Sequence, residues 1–405
     1  MTSQSIGQRI RRLREFRNLT QEELSARANV AVATVRKLEQ GQRQSAQLST
    51  LRALASALDT ELERLVGQPA VMRQQSESGG LLALRDAIQD VSDLTGVLPE
   101  EGVAEPRTAT AWMLSVREAV TAYWQGRYGD LTDDLPLLIR EGKAVAREVT
   151  GRSAEEVWGQ LALVYQLAAS LATQAGHTDW AFEAVTHQLS AAQRASDPLI
   201  EGMGVSTLSW VLLRQGRWDQ AHAVAERKAA ALEPSFRKGT KRQFAVYGNL
   251  LLAAATPLAR LNRSDEADEL LNVAEAAATR SGAVRAYGTA FGVHDVRTQM
   301  VNVALAGSTS RPREALTRAS RVSPKAISRP VHAASHRLDV AQAQYQVGDL
   351  EGALETLLSV EKAQPEWIAH QVHAAVTVRE MLERERRRNG RLRALAARLG
   401  VDPTL

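Results

Sequence analysis

Arg36, Lys37 and Gln40 fall within little more than one turn of a helical pattern, inside the stretch LTQEELSARANVAVATVRKLEQG at 19–41. Basic and amide side chains at that spacing suit hydrogen bonds to phosphate oxygens and base edges, which is recognition chemistry rather than catalysis. Charge is distributed to match. Residues 1–67 hold eleven Arg/Lys against seven Asp/Glu, while the remaining 338 hold thirty-nine of each, so the whole +4 excess lies in the first sixth of the chain. Such asymmetry points to a polyanion partner for the N-terminal segment and a different task for the rest. An isolated basic pair on a helix is ordinarily a solvated face; here it sits within two closely spaced helical patterns in a basic surround.

Other chemistries find little support. With no cysteine, disulfides, thiolate metal sites and a cysteine nucleophile are excluded. His332 and His336 lie four apart and His370 and His373 three apart, but neither pair has a third ligand or acidic support at metal-binding spacing, so neither a metal nor a cofactor is expected. The sequence lacks a phosphate-cradling glycine loop, a nucleophile elbow and paired carboxylates, which speaks against an enzyme. No apolar run approaches the roughly 18–20 residues of a membrane span, and the polar start MTSQSIGQRI has no signal-peptide core, so a cytoplasmic protein is expected.

The elements that must position Arg36 and Lys37 are helices. Ile6, Ile10, Leu13 and Phe16 or Leu19 recur on one helical face, with arginines on the others. Thr20 followed by Glu23 is a capping-box pattern and starts a short helix from Gln21 to about Ala28. Asn29 tolerates the left-handed turn conformation, so the chain reverses there. A third helix spans roughly Ala31 to Gln40, with Val35 and Leu38 inward and Gly41 closing it. Leu51, Leu54, Leu58, Leu62 and Leu65 supply two more short helices around one core.

Three segments, LRxxRxLTQEELSxxA at 13–28, TVxKLEQG at 34–41 and LxxLAxALDxxLxxLVG at 51–67, resemble the Xre/phage-repressor family of helix-turn-helix domains over residues 6–67. The resemblance implies an ion pair between Arg14 and Glu39 locking the first helix onto the third. It implies that Thr20 and Gln21, with helix-end amides, face a phosphate, and that Val32, Ala33, Thr34, Arg36, Lys37 and Gln40 lie at the major groove of double-stranded DNA. Arg43 follows Gly41 and reaches either a phosphate or water. The chain departs from the family at Ala31, where Ser or Thr usually caps the third helix, and at Val32 and Ala33, which can touch thymine methyls but cannot pair with purines. Base reading then falls on Arg36, Lys37 and Gln40.

Residues 68–79, QPAVMRQQSESG, read as a flexible linker. A helix from Leu81 to about Leu94 and a loop GVLPEEGVAEPR follow, so the domains are 1–67, the linker 68–79 and 80–405, with the head tethered rather than fused. From about Thr108 onward the pattern is almost continuously helical and repeats at GRYGDLTDDL, GHTDWAFEAV, GRWDQAHAVA, NRSDEADELL, SRPREALTRA and GDLEGALETL, with starts 50, 40, 46, 48 and 38 residues apart. Each unit resembles a tetratricopeptide hairpin: a first-helix aromatic (Tyr123, Trp210, Tyr345), a turn glycine (Gly126, Gly216, Gly348) and a second-helix alanine (Ala221, Ala267, Ala315, Ala353). The expected fold is all-α, a five-helix lambda-repressor-like head followed by an α-solenoid with a concave inner surface.

Head plus array resembles a group of actinobacterial regulators and, more distantly, peptide-pheromone receptors of Gram-positive bacteria. The resemblance implies a homodimer on an inverted-repeat operator, with the array sensing a peptide or small molecule. First-helix candidates for ligand contact are Trp158, Tyr165, Trp210, Asn249 and Tyr287, although aromatics at this spacing equally serve a core. Polar candidates are Arg297, Asn302, Arg337 and Gln342, and in FGVHDVRTQMVNVAL at 291–305 an internal salt bridge accounts for His294, Asp295 and Arg297 as well as a ligand does. The run RERRRNGRLR at 384–393 reads as the solvated end of a capping helix. Two other readings stay open: an adaptor docking a protein on the array, and a constitutive repressor without a ligand.

Overall fold

The computed structural model describes residues 5–43, 46–58, 60, 62–66, 79–90, 107–307, 310–323, 326–327, 329–384 and 389–402. Most of the predicted linker, the loop at 96–107 apart from its last residue, and 385–388 of the basic run lie outside these residues. Among the described residues no helix is long and apolar enough to cross a membrane.

The head comprises α1 (Ile6–Phe16), α2 (Gln21–Ala28), α3 (Val32–Glu39), α4 (Leu48–Ala57) and α5 (Leu62–Val66). Ile6, Ile10, Leu24, Val35, Leu38, Leu51, Leu54, Leu58 and Leu65 form its core. The choice between Phe16 and Leu19 is settled by packing: Leu19 is 8% exposed and Phe16 77%. Gly7 lets α1 lie against α3, since a Cβ there would stand 1.8 Å from the Leu38 carbonyl oxygen.

After α6 (Gly79–Ile88), shorter than the helix predicted to reach Leu94, six helical hairpins follow among the described residues. They are α7 (Ala109–Gln125) with α8 (Tyr128–Glu148), α9 (Gly151–Gln174) with α10 (Thr178–Arg194), α11 (Pro198–Arg214) with α12 (Trp218–Ala231), α13 (Lys241–Arg260) with α14 (Ser264–Ser281), α15 (Val293–Ala304) with α16 (Pro312–Ala319), and α17 (Pro330–Val347) with α18 (Leu350–Ala363). The short α19 (Pro365–Ala369), α20 (Val372–Glu383) and α21 (Gly390–Arg398) end the array. The hairpins coincide with the repeated segments for a local reason. At most of the reversals a left-handed residue follows the first helix, and Gly126, Gly176, Gly216 and Gly348 (φ 77, 81, 77 and 94°) and Asn262 (φ 62°) take that conformation at little cost. Ala221, Ala267, Ala315 and Ala353 are fully buried, which lets each second helix approach closely.

Three features go beyond the expected all-α solenoid with its tethered head. First, β1 (Val284–Ala286) and β2 (Thr289–Phe291) form an antiparallel hairpin, pairing Val284 with Phe291 and Ala286 with Thr289. Tyr287 and Gly288, at φ 51 and 70°, make the two-residue turn whose twist suits such a pair. Phe291 is buried over Gly248 of α13, where an added Cβ would stand 1.9 Å from the ring.

Second, the array closes on itself. Residues of the first unit, among them Trp112, Tyr123 and Tyr128, share one apolar cluster with Val331, Leu338 and Trp367 near the C-terminus. Trp124 meets His332 edge-on at 4.5 Å, and Gly129 N donates to Glu366 Oε1 at 2.7 Å. The array is therefore a ring around a central cavity.

Third, the head is docked rather than merely tethered. Val372 and Val376 of α20 belong to the head's own apolar cluster, and α20 packs on α4 and α5. The turn at Gly216 also runs close to Ser56 and Thr60. Apolar residues on an array helix and on α4–α5 bury one another here, a pairing that no local sequence pattern announces.

Candidate nucleic-acid interface and ring cavity

The turn between α2 and α3 is built from short-range bonds. Thr20 Oγ1 accepts from Glu23 N at 3.1 Å while Glu23 Oε2 accepts from Thr20 N at 2.7 Å, and Asn29 (φ 49°) ends α2 in the left-handed conformation. Arg14 donates to Glu39 twice, Nε to Oε1 at 2.7 Å and Nη2 to Oε2 at 2.9 Å, in a bidentate pair that ties α1 to α3. Gln21 Nε2 donates to Glu39 Oε2 at 2.8 Å. Its amide, expected to face a phosphate, thus points at the ion pair.

On the outer face of α3, Ala33, Arg36, Lys37 and Gln40 are exposed and Val32 and Thr34 half-buried, while Val35 and Leu38 are buried. Arg36 lies 3.5 Å from Glu22 with its side chain 53% exposed. Arg43 is exposed on the side that meets α20, where Glu380 and Glu383 feel its charge; burial raises both carboxyls, Glu380 to about 7, and Arg43 acts against it. The head thus turns α4–α5 toward the ring and leaves the α3 edge open.

Ala31 heads α3 with no side-chain cap. Its backbone (φ −59°, ψ 133°) already suits a capping residue, so Ala31→Ser is expected to stabilise the head by about 0.5–2 kcal/mol. Slower hydrogen exchange in α3 would register it; unchanged exchange would mean that solvent already satisfies the free amides.

The second site is the ring cavity, about 500 Å³, lined by the inner faces of the first helices and on one side by Arg52, Ser56 and Thr60 of the head. Of the nine ligand-contact candidates named from the sequence, Trp210, Asn249 and Asn302 line it. Tyr287 lines a smaller pocket, its hydroxyl 3.3 Å from Asp197. The others do not line either. Trp158 stacks under Arg194, Tyr165 is buried against His187, and Arg297 pairs with Glu275 at 2.8 Å. Arg337 is exposed and Gln342 buried in α17, and neither lines the cavity. Arg391 of the C-terminal basic run pairs with Glu355 at 2.6 Å.

Of the cavity's ionisable groups, His336 and His373 stood out in the sequence only as members of histidine pairs, and Arg52, Arg214, Arg260 and Asp339 were not foreseen. Asp339 is buried and accepts from Asn302 Nδ2 at 3.1 and 3.2 Å; burial raises its carboxyl to about 7, although that bond, Arg52 and Arg260 pull the other way. Burial and the Arg214 charge lower Arg260 to about 10. Burial also lowers His336 to about 4, and holds His373 well below the usual histidine range with help from Arg52, Arg260 and Arg214. Only their convergence from α4, α11, α13, α17 and α20 gives these residues meaning, since each reads in its own segment as ordinary. The β-hairpin tip spans the cavity edge, with Trp124 Nε1 donating to the Gly288 carbonyl at 2.7 Å and Gln166 Nε2 to that of Tyr287 at 3.4 Å.

Residues 10–65 match the family described as Helix-turn-helix. Over 71 residues, 18% of this chain, the sequence is 34% identical to an immunity repressor protein of Bacillus phage phi105, and the match spans about half (49%) of that relative. Two solved structures align over most of both chains. One is PlcR of Bacillus thuringiensis in complex with the peptide PapR7 and DNA, 11% identical, with a TM-score of 0.34 over 89% of this chain and 99% of that one. The other is aspartyl phosphate phosphatase F of Bacillus subtilis, 14% identical, with a TM-score of 0.41 over 92% and 96%. The N-terminal head is a helix-turn-helix domain of the Xre/phage-repressor type, carried on an array of helical hairpins.

Proposed function

We propose that the protein is a sequence-specific DNA-binding transcriptional regulator, in which the head reads an operator through α3 and the ring holds a peptide or small-molecule effector. The reading rests chiefly on one observation: the head is seated on the ring by α4–α5, while Arg36, Lys37 and Gln40 of α3 stay exposed. Phosphate contact falls to the backbone amides at the start of α2, with Thr20 at the flank, because Gln21 is turned to Glu39 and Arg43 lies toward α20. Val32, Ala33 and Thr34 give the helix a small, largely apolar entry suited to thymine methyls. One head buries too little for high specificity, so two copies act together on an inverted repeat.

DNA selected from a random pool by the wild-type protein provides the test. Arg36→Ala or Lys37→Ala should weaken binding to the selected sequence by about 1–3 kcal/mol, roughly 5- to 150-fold, with relaxed preference at single positions. Gel shifts unchanged in both variants would remove α3 from the DNA, and a selected sequence without two-fold symmetry would remove the dimer.

A further inference from the structure

The ring cavity carries more buried polar groups than its own walls satisfy. Arg260 Nη1, His373 Nε2, His336 Nδ1 and Thr60 Oγ1 belong to residues that line it, are buried and have no protein partner. Such atoms are rare and need a partner. An arginine nitrogen can only donate, and Thr60 and the two histidines can donate as well, so what would satisfy them together is rich in acceptors. The charges agree: Arg52, Arg214 and Arg260 lie within electrostatic reach of His373, and of the two lining carboxylates Asp339 is itself held partly protonated while Asp295 lies 3.5 Å from His332. Trp124, Trp210 and Trp218 add apolar wall, and the volume fits a ligand of drug size, for which roughly 300–1,000 Å³ is typical.

We propose that the ring cavity binds a small organic acid with an apolar body, its carboxylate received near Arg260 and His373, and that Thr60 and Arg52 of the head complete the site. The ligand class deepens the regulator reading given above and rests on it for its consequence. An acid held between ring and head binds the docked arrangement better than the undocked one, and so shifts the population toward docking. Whether the carboxylate belongs to a metabolite or to the C-terminus of a short peptide is a question of source, and the same chemistry serves both.

Thermal melting of the full chain with 3-phenylpropionate, indole-3-acetate and the tripeptide Ala-Ala-Phe, each beside its neutral amide, tests the proposal. At least one acid should raise the melting temperature saturably while its amide does not, and the responding acid tells metabolite from peptide. Arg260→Gln should weaken that response about 10- to 100-fold, the worth of a charge-assisted hydrogen bond, and Thr60→Val, which leaves the ring intact, should weaken it less. In the wild type the responding acid should also slow hydrogen exchange across α4–α5, and in Arg52→Gln it should bind yet lose most of that effect. Equal responses to acids and amides, silence toward all three acids, or an unchanged response in both the Arg260 and Thr60 variants overturns the acid site. Exchange in α4–α5 unmoved by a bound acid overturns the bridging role. A chain that selects DNA but ignores the acids keeps the regulator reading and loses this one; a chain that binds an acid but selects no DNA does the reverse.

Discussion

Glu39→Ala is expected to unfold the head while the ring stays folded. Glu39 and Arg14 have side chains only 3% and 12% exposed, and the alanine would leave the Arg14 guanidinium and the Gln21 amide without the carboxylate they share. Breaking one partner of a buried pair costs about 3–5 kcal/mol, because the charge left behind is desolvated and unmatched. A domain of about 60 residues has little more stability than that to lose, since it buries the smallest share of its surface. Melting should therefore split into an early transition with a small loss of helicity and a late one at the wild-type temperature, and binding to the selected DNA should vanish. Glu39→Gln keeps the shape and some of the hydrogen bonds, and should fall between the two. A Glu39→Ala protein melting in one step at the wild-type temperature would show that docking on α20, rather than the ion pair, carries the head's stability.

Asp339→Asn should stabilise the ring above neutral pH. In the unfolded chain the Asp339 carboxyl releases its proton near 3.8, whereas the folded chain holds it until about 7. Between these values the folded state binds more protons than the unfolded, so stability contributed at this site falls as pH rises and the penalty is complete above pH 7. Asparagine stays neutral throughout. The variant should exceed the wild type by on the order of 2–4 kcal/mol at pH 8, and the difference should shrink to nothing toward pH 4. His336, lowered to about 4, contributes the opposite trend, losing stability as pH falls from 6.5; it is common to both proteins and cancels in the comparison. Urea midpoints at pH 5 and pH 8 supply the measurement. A variant less stable than the wild type at pH 8 would mean that the Asp339 charge is needed against Arg52 and Arg260, and that the cavity is less cationic than the acid site requires.

What the sequence determined by itself is local. Thr20 with Glu23, Asn29, the inward Val35 and Leu38, and the turn residues from Gly126 to Gly348 act over three or four positions, so their types and spacing place the helix-turn-helix and the six hairpins before any packing is known. The Tyr287–Gly288 turn was equally local but lay within an otherwise helical pattern, where one tyrosine in the left-handed region carries no composition signal. Apart from the Arg14–Glu39 pair, which the family resemblance implied, what joins distant segments was decided by tertiary structure. Trp124 meeting His332, Val372 and Val376 entering the head's core, and Arg52, Arg260, Asp339 and His373 converging on one cavity depend on how far the ring turns per hairpin. That curvature is a sum of small packing angles set by side-chain volumes at every interface, and no single segment contains it.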